Sequence, residues 1–304
     1  MDRETRHYRR LNLALAAGFA GLQLFQLFAL PFWLLPLAPA WGWLLLFPVL
    51  LSNPWWSLIH DAVHVSLLPG KTANRRLGRV NGVLFGASFD LLRWGHLLHH
   101  ALSRTPRERS EVFEPGRDNR LVFAADYYFR LLGGLYLYEV LGSLLFLLPR
   151  GLIRTLAGRL ATDRNPLATL VERMLVPETL AAARLDAFLV LLVHGLAFAA
   201  YGAQAWMLAL AIVGRGLLIS LMDNVWHYGT PLNDSRYAHN LRLPGWGSRL
   251  LLNFNLHGVH HLRPNLPWWQ LPRQHQDGSA DYQGELLPTL MAQFRGPIPE
   301  DRLA

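Results

Sequence analysis

From Leu11 to His60 the chain carries no Asp, Glu, Lys or Arg. A bilayer core is crossed by about 20 apolar residues, and a soluble core of a chain this size could not hide an uncharged stretch so long. The only break is Leu-Pro-Leu-Ala-Pro-Ala at 35–40, so the stretch reads as a helical hairpin with spans at 11–34 and 41–64. A secretory signal would have a shorter apolar core and a small-residue cleavage site, so the run is read as a retained anchor. A second hairpin fits 186–226, with spans at 186–201 and 205–226 and a turn near Tyr201-Gly202-Ala203. Between Asp186 and Asp223 its only formal charge is Arg215.

The arginines orient these hairpins. Four basic residues precede the first span, seventeen lie between the hairpins, seven follow Tyr228, and neither tip carries one. Positive residues stay on the cytoplasmic side, which predicts cytoplasmic termini and a cytoplasmic central loop. The expectation is an all-α integral membrane protein of the bacterial inner membrane. It is one domain over residues 1–304, with four spans and a cytoplasmic helical cap at 65–185 and 227–304. Residues 131–149 are apolar enough to compete as a fifth span, but would place Arg150 to Arg184 outside. The segment 121–149 is therefore read as a helix lying in the interface or dipping into the bilayer. Beyond about 272 the tail is expected to pack loosely, and Trp268 and Trp269 to anchor the interface.

Composition closes off other classes. The chain is 52% hydrophobic and 16% charged, against about a quarter charged in soluble domains. Its charge of +8 does not imply nucleic acid, because the basic residues are scattered and include a single lysine, Lys71. With no cysteine, disulfides, thiolate ligands and thiol catalysis are excluded.

Nine of the thirteen histidines fall into spaced groups. His60 and His64 form HDAVH, His96, His99 and His100 form HLLHH, and His257, His260 and His261 form HGVHH; His227 stands in DNVWHYG. Residues three and four apart share a helix face, so each group can aim its imidazoles at one spot. So many polar rings packed in an apolar site would each need a partner. The arginine topology independently brings all four groups to one membrane face. A zinc site takes about four ligands, so nine imidazoles suit two metals sharing them as four plus five. Imidazole accepts Zn, Cu, Fe and Ni, and spacing does not choose among them. His7, His194, His239 and His275 are isolated, with His194 read as a packed histidine of the third span.

The motifs HDAVH, HLLHH, DNVWHYG and NFNLHGVHHLRPNLPWWQLP (253–272), in this order, resemble the membrane fatty acid desaturase superfamily from about His60 to Pro272. That group includes acyl desaturases, alkane hydroxylases, carotenoid ketolases and hydroxylases, and acyl decarboxylases. The resemblance implies four spanning helices under a cytoplasmic cap, with two Fe2+ ions on the nine named histidines. It also implies O2, a fatty-acyl or similarly lipophilic substrate, and a separate ferredoxin-like or similar electron donor. Its chemistry removes hydrogen from a methylene. Loss of a second hydrogen gives an alkene, return of hydroxyl an alcohol, and loss of carbon dioxide a terminal alkene.

Desaturation leads. Carotenoid or alkane oxygenation and decarboxylation are the alternatives, with a metal transporter the non-enzyme reading. Ligands clustered at one face, rather than at mid-membrane, speak against transport. Asp61, Asp90, Asn253 and Asn255 are candidates to orient the ligands. Leu84–Leu92 and Leu131–Leu148 are candidate linings of an acyl tunnel. Asp223 stands where many relatives have Asn, one turn before His227. There it is expected to be ionised and to meet the metals directly or through water, unless it pairs with Arg236 or Arg242.

Overall fold

A computed structural model describes residues 3–279 and 281–303. Among the described residues the α-helices are α1 (Arg3–Leu24), α2 (Leu46–Leu50), α3 (Ser52–Val63), α4 (Lys71–Phe85) and α5 (Phe89–Leu102). After them come α6 (Arg120–Phe129), α7 (Leu135–Leu145), α8 (Arg150–Leu160), α9 (Leu167–Met174) and α10 (Pro177–Tyr201). The last are α11 (Ala205–Val225), α12 (Gly245–Leu250), α13 (His257–Leu262), α14 (Leu271–Gln274) and α15 (Leu286–Ala292). Strands among the described residues are confined to two parallel two-residue pairings, Val112–Phe113 with Ile298–Pro299 and Leu241–Arg242 with Gly284–Glu285.

Two helical stretches, Arg3–Leu34 and Pro177–Val225, are long and apolar enough to cross a membrane; Pro39–Leu50 with Ser52–Val63 makes a third, bent by 40°. Prolines explain the irregularities, because each removes a backbone donor. Pro31 cannot donate to Leu27, and the ladder around it widens until Leu35 N–H reaches back to Leu30 O at 3.0 Å. Pro54 likewise leaves Leu50 O without its usual donor, next to the bend at Leu51.

Pro177–Val225 is interrupted at Gly202, whose φ of 50° and ψ of −120° no helix uses. Along a straight helix His194 and Arg215 would lie about 31 Å apart. Both instead meet the turn after α4, where Arg215 Nη1 donates to Phe85 O at 3.2 Å. The chain thus doubles back at Gly202. Asn53 Nδ2 donates to Leu218 O at 3.2 Å, and Val49 and Gly42 face Gly214 and Met207. The α2–α3 segment therefore runs parallel to α11. In contrast, α1 runs antiparallel to α3, since Asn12 near its start binds Leu67 O at 2.7 Å and Phe19 stacks on Trp55.

The core fills the space between these segments with Leu30, Trp55, Ile59, Phe85 and Phe89, all essentially inaccessible. Arg215 is buried there too. Its guanidinium binds Gln23 and Gln26 at 2.6 and 3.3 Å and lies over the Trp55 ring. Leaving so large a cation unpaired in an apolar core would be costly, and these amide and carbonyl oxygens offset that cost.

Helix α10 begins at Pro177, nine residues ahead of the span expected from 186. Its early charges are satisfied within the fold, with Asp186 bound to Arg79 at 2.8 Å and Arg184 to the carbonyls of Phe146 and Leu148. The expected helix over 121–149 is broken instead at Leu132 and Gly133, where φ reaches 119°. Its second half, the eleven-residue α7, is about 16 Å long, short of a bilayer core.

The tail does not pack loosely. Gln293 is fully buried, Tyr127 Oη donates to its carbonyl at 2.8 Å, and Ile298 N–H donates to Glu111 O at 2.7 Å. Trp268 is also a packing residue, 8% exposed, with Nε1 donating to Asn12 Oδ1 at 3.0 Å. Trp269 stacks on Tyr8 at 4.4 Å.

Candidate metal centre

Four short pieces of chain aim imidazoles at one volume. The end of α3 supplies His60 and His64, the last turns of α5 supply His96, His99 and His100, His227 follows α11, and α13 supplies the rest. Local sequence places each piece. Gly86 ends α4 in the left-handed conformation that favours glycine (φ 107°), so the chain can turn and start α5 three residues later. Leu252 and Asn253 both take positive φ before α13. Asn253 tolerates this better than leucine and fixes the loop through Nδ2 to Trp268 O at 3.1 Å.

The nine histidines come together as two groups. His60, His64, His96, His100 and His260 form one, and His99, His227, His257 and His261 the other. Within each group the donor atoms lie within 4.8 Å of one another. Ligands on opposite sides of an ion at about 2.1 Å would be about 4.2 Å apart, so both groups have the span of a coordination shell.

Nitrogen bookkeeping supports a cation. His100 Nε2 lies 2.9 Å from His96 Nε2 and 3.0 Å from His260 Nε2, and His99 Nε2 lies 3.0 Å from His227 Nε2. Each neutral imidazole has one N–H, which cannot satisfy such convergence. His60 Nδ1 and Nε2, His64 Nε2, His257 Nδ1 and His261 Nε2 are buried without a hydrogen-bond partner. Protonation does not rescue them. Burial, reinforced by neighbouring histidines, holds His96, His227, His257 and His260 well below the ordinary imidazole value. Burial lowers His261 to about 3. Nine imidazoles converging as five and four, with lone pairs left unmet, fit two divalent metal ions.

Several outer nitrogens are held. His261 Nδ1 donates to Ser235 O at 3.0 Å, leaving Nε2 for the centre. His99 Nδ1 binds Glu108 Oε1 at 2.9 Å. Burial alone would lower His99, but the charge and hydrogen bond of Glu108, together with the charge of Asp223, raise this imidazole. Such outer partners fix the tautomer and make a ligand more basic.

The expected orienting residues behave differently from one another. Asp61 accepts from Trp268 N–H at 3.1 Å and comes within 3.7 Å of His60 Nδ1, so it ties the C-terminal segment to α3 beside a ligand. Asn255 donates to Leu241 O at 2.9 Å and braces α13. Asp90 pairs with Arg75 at 2.8 Å in the first turn of α5, away from the imidazoles. Glu108 was not legible as a partner, being nine residues beyond His99 in an arginine-rich loop with no periodic relation to it. Asp223 forms no hydrogen bond or ion pair among the described residues, with Arg236 or Arg242 or any other group. It opens instead into a cavity of about 400 Å3, lined also by Arg107, Glu108 and Asn224.

Of the candidate tunnel linings, Leu84–Leu92 is core. Leu132, Tyr136, Leu137 and Val140 line an apolar surface groove of about 580 Å3 beside Ile212, Val213 and Gly216. Leu131 and Leu135 face the polar cavity.

Comparison with known proteins agrees with this arrangement. Residues 38–290 match the sequence model of the fatty acid desaturase family. No individual curated protein matches the chain. The matched stretch contains all nine histidines, both groups they form and two of the three long apolar helical segments, Pro39–Val63 and Pro177–Val225. The chain belongs to the fatty acid desaturase family.

Proposed function

We propose that this protein is an integral membrane oxidase of the bacterial inner membrane that desaturates a fatty-acyl chain with O2 at two ferrous ions. The observation that carries the reading is the division of nine converging imidazoles, six of them buried, into groups of five and four. His60, His64, His96, His100 and His260 would hold one ion, and His99, His227, His257 and His261 the other. When bound, the iron pair supplies the oxidising power that no side chain has.

The protein's own groups do the rest. Burial of six of the imidazoles limits the access of bulk water, and Glu108 and Ser235 O hold the rings of His99 and His261 in one tautomer. Asp223 contributes an anion beside cations otherwise bound by neutral ligands. Converting CH2–CH2 to CH=CH while O2 becomes two waters consumes two further electrons and two protons. A separate ferredoxin-like donor is the source of the electrons.

Four crossings, with metals and termini on the cytoplasmic side, complete the proposal. The reversal at Gly202 and the parallel packing of α2–α3 on α11 support two hairpins whose tips share one end. Exposed aromatics at those tips, Trp33 at 73% and Trp206 at 58%, suit a membrane interface.

The test is metal analysis of the purified protein, with labelled fatty acids fed to an expressing host and its lipids and headspace volatiles examined. About two irons per chain, one for each histidine group, and an unsaturated acyl product are expected. One tightly bound zinc and no iron would overturn the proposal.

A further inference from the structure

The polar cavity beside the metal centre has walls rich in charge, and nearly every charge is matched. Arg109 pairs with Glu300 at 2.6 Å, Arg130 with Asp126 at 2.8 Å and Arg164 with Asp118 at 2.6 Å. Glu108 binds His99. Two lining groups remain without an ion pair, Arg107 and Asp223. Asp223, one turn before His227, faces cations once the centre is loaded. Arg107 has one recorded partner among the described residues, the neutral Thr169 Oγ1 at 3.1 Å. A guanidinium carries five N–H donors in a planar fork matched to an oxyanion, so most of its donors remain available.

We propose that Arg107 binds the carboxylate of a free fatty acid, with the cavity holding the head of the substrate beside the metal centre. This rests on the acyl-oxidation reading above and specifies its substrate. Charge selects the ligand. One unmatched cation balances one negative charge, whereas the several phosphate charges of a coenzyme A or carrier-protein thioester would meet Glu108, Asp118, Asp126 and Asp223. The volume of about 400 Å3 is that of a small-ligand site. Past the arginines, Phe123, Leu131 and Leu135 offer an apolar wall for the first methylenes.

The experiment compares equilibrium binding of a radiolabelled long-chain free acid, its methyl ester and its coenzyme A thioester to the metal-loaded protein. Acid and ester share one chain, so their affinity ratio does not depend on how much protein is folded. Wild type should prefer the acid by about tenfold, the scale of one charge-assisted contact. Arg107→Gln should erase the preference, and Arg107→Lys should keep part of it. Thr169→Val removes the existing hydrogen bond while sparing the guanidinium, and should keep the preference.

Three results would overturn the proposal: no preference in wild type, preference retained in Arg107→Gln, or equal loss in Thr169→Val. Tighter binding of the thioester would also overturn it, in favour of a phosphate-bearing substrate. An Arg107-dependent acid preference without any oxidised product would leave this site standing and remove the desaturase reading. Product without the preference would do the reverse.

Discussion

At the residue scale, ligand, positioning and tuning roles give different signatures. His260 belongs to the five-membered group and His99 to the four-membered one, so His260→Ala and His99→Ala should each lower metal content and abolish turnover, read by metal analysis and product yield. Retention of both irons in either variant would remove that histidine from the shell. Glu108→Gln preserves shape but loses the charge that supports His99. Outer partners of this kind are worth roughly 10–100-fold in metal affinity or activity, so chelator competition should show weaker retention of metal. Unchanged retention would make Glu108 incidental. Asp223→Asn should leave iron content nearly intact yet alter turnover or product ratio, and Asp223→Ala should lose more. Wild-type products from both would assign Asp223 no part in the chemistry.

At the element scale, the centre depends on turns that place short helices. Gly86 has φ 107°, and a Cβ there would come within 3.0 Å of Tyr136 Oη. Holding an L-residue in left-handed backbone costs about 1–2 kcal/mol. Gly86→Ala should therefore lower the unfolding midpoint and weaken metal retention, because α5 begins at Phe89 and carries three of the nine histidines. A variant as stable as wild type would show that the turn relaxes without moving α5. Helix α13 is only six residues long, too short to persist by itself in water. Its place comes from Asn240 Oδ1, which accepts Val259 N–H at 3.0 Å, and from the Asn255 contact.

At the scale of the whole molecule, metal loading and topology are the measurable quantities. Without metal, buried ring nitrogens of His60, His64, His257 and His261 are left without a hydrogen-bond partner. A ligand that binds only the folded state stabilises it by about 2.7 kcal/mol at about a hundredfold over Kd. Chelation should lower the unfolding midpoint and restored iron should recover it; equal midpoints would show that the imidazole cluster is self-sufficient. Reporter fusions after residues 38 and 203 should read outside, and those after 110, 165 and 240 cytoplasmic, because every basic cluster lies on the second set. An outside signal at 165 would mean that the kinked α6–α7 segment crosses the membrane.

Charge-free length and histidine spacing act locally, and both were legible without coordinates. The apolar stretch from Leu11 implied a helical hairpin, and i, i+3 and i+4 spacing put each group of imidazoles on one face. Helix α10 extends nine residues ahead of the span expected from 186, because Arg79 and two carbonyls satisfy Asp186 and Arg184. Other features arise between segments distant in sequence. Which histidines share a group is one such feature: His260 joins His60 across 200 positions while its neighbour His261 joins His99. The burial of Arg215 against Gln23, the packed tail around Gln293 and the unmatched charge of Arg107 are others. Spacing along a helix decides which way a side chain points. What it meets there is decided by the partner surface that folding brings up, and only the tertiary structure contains that.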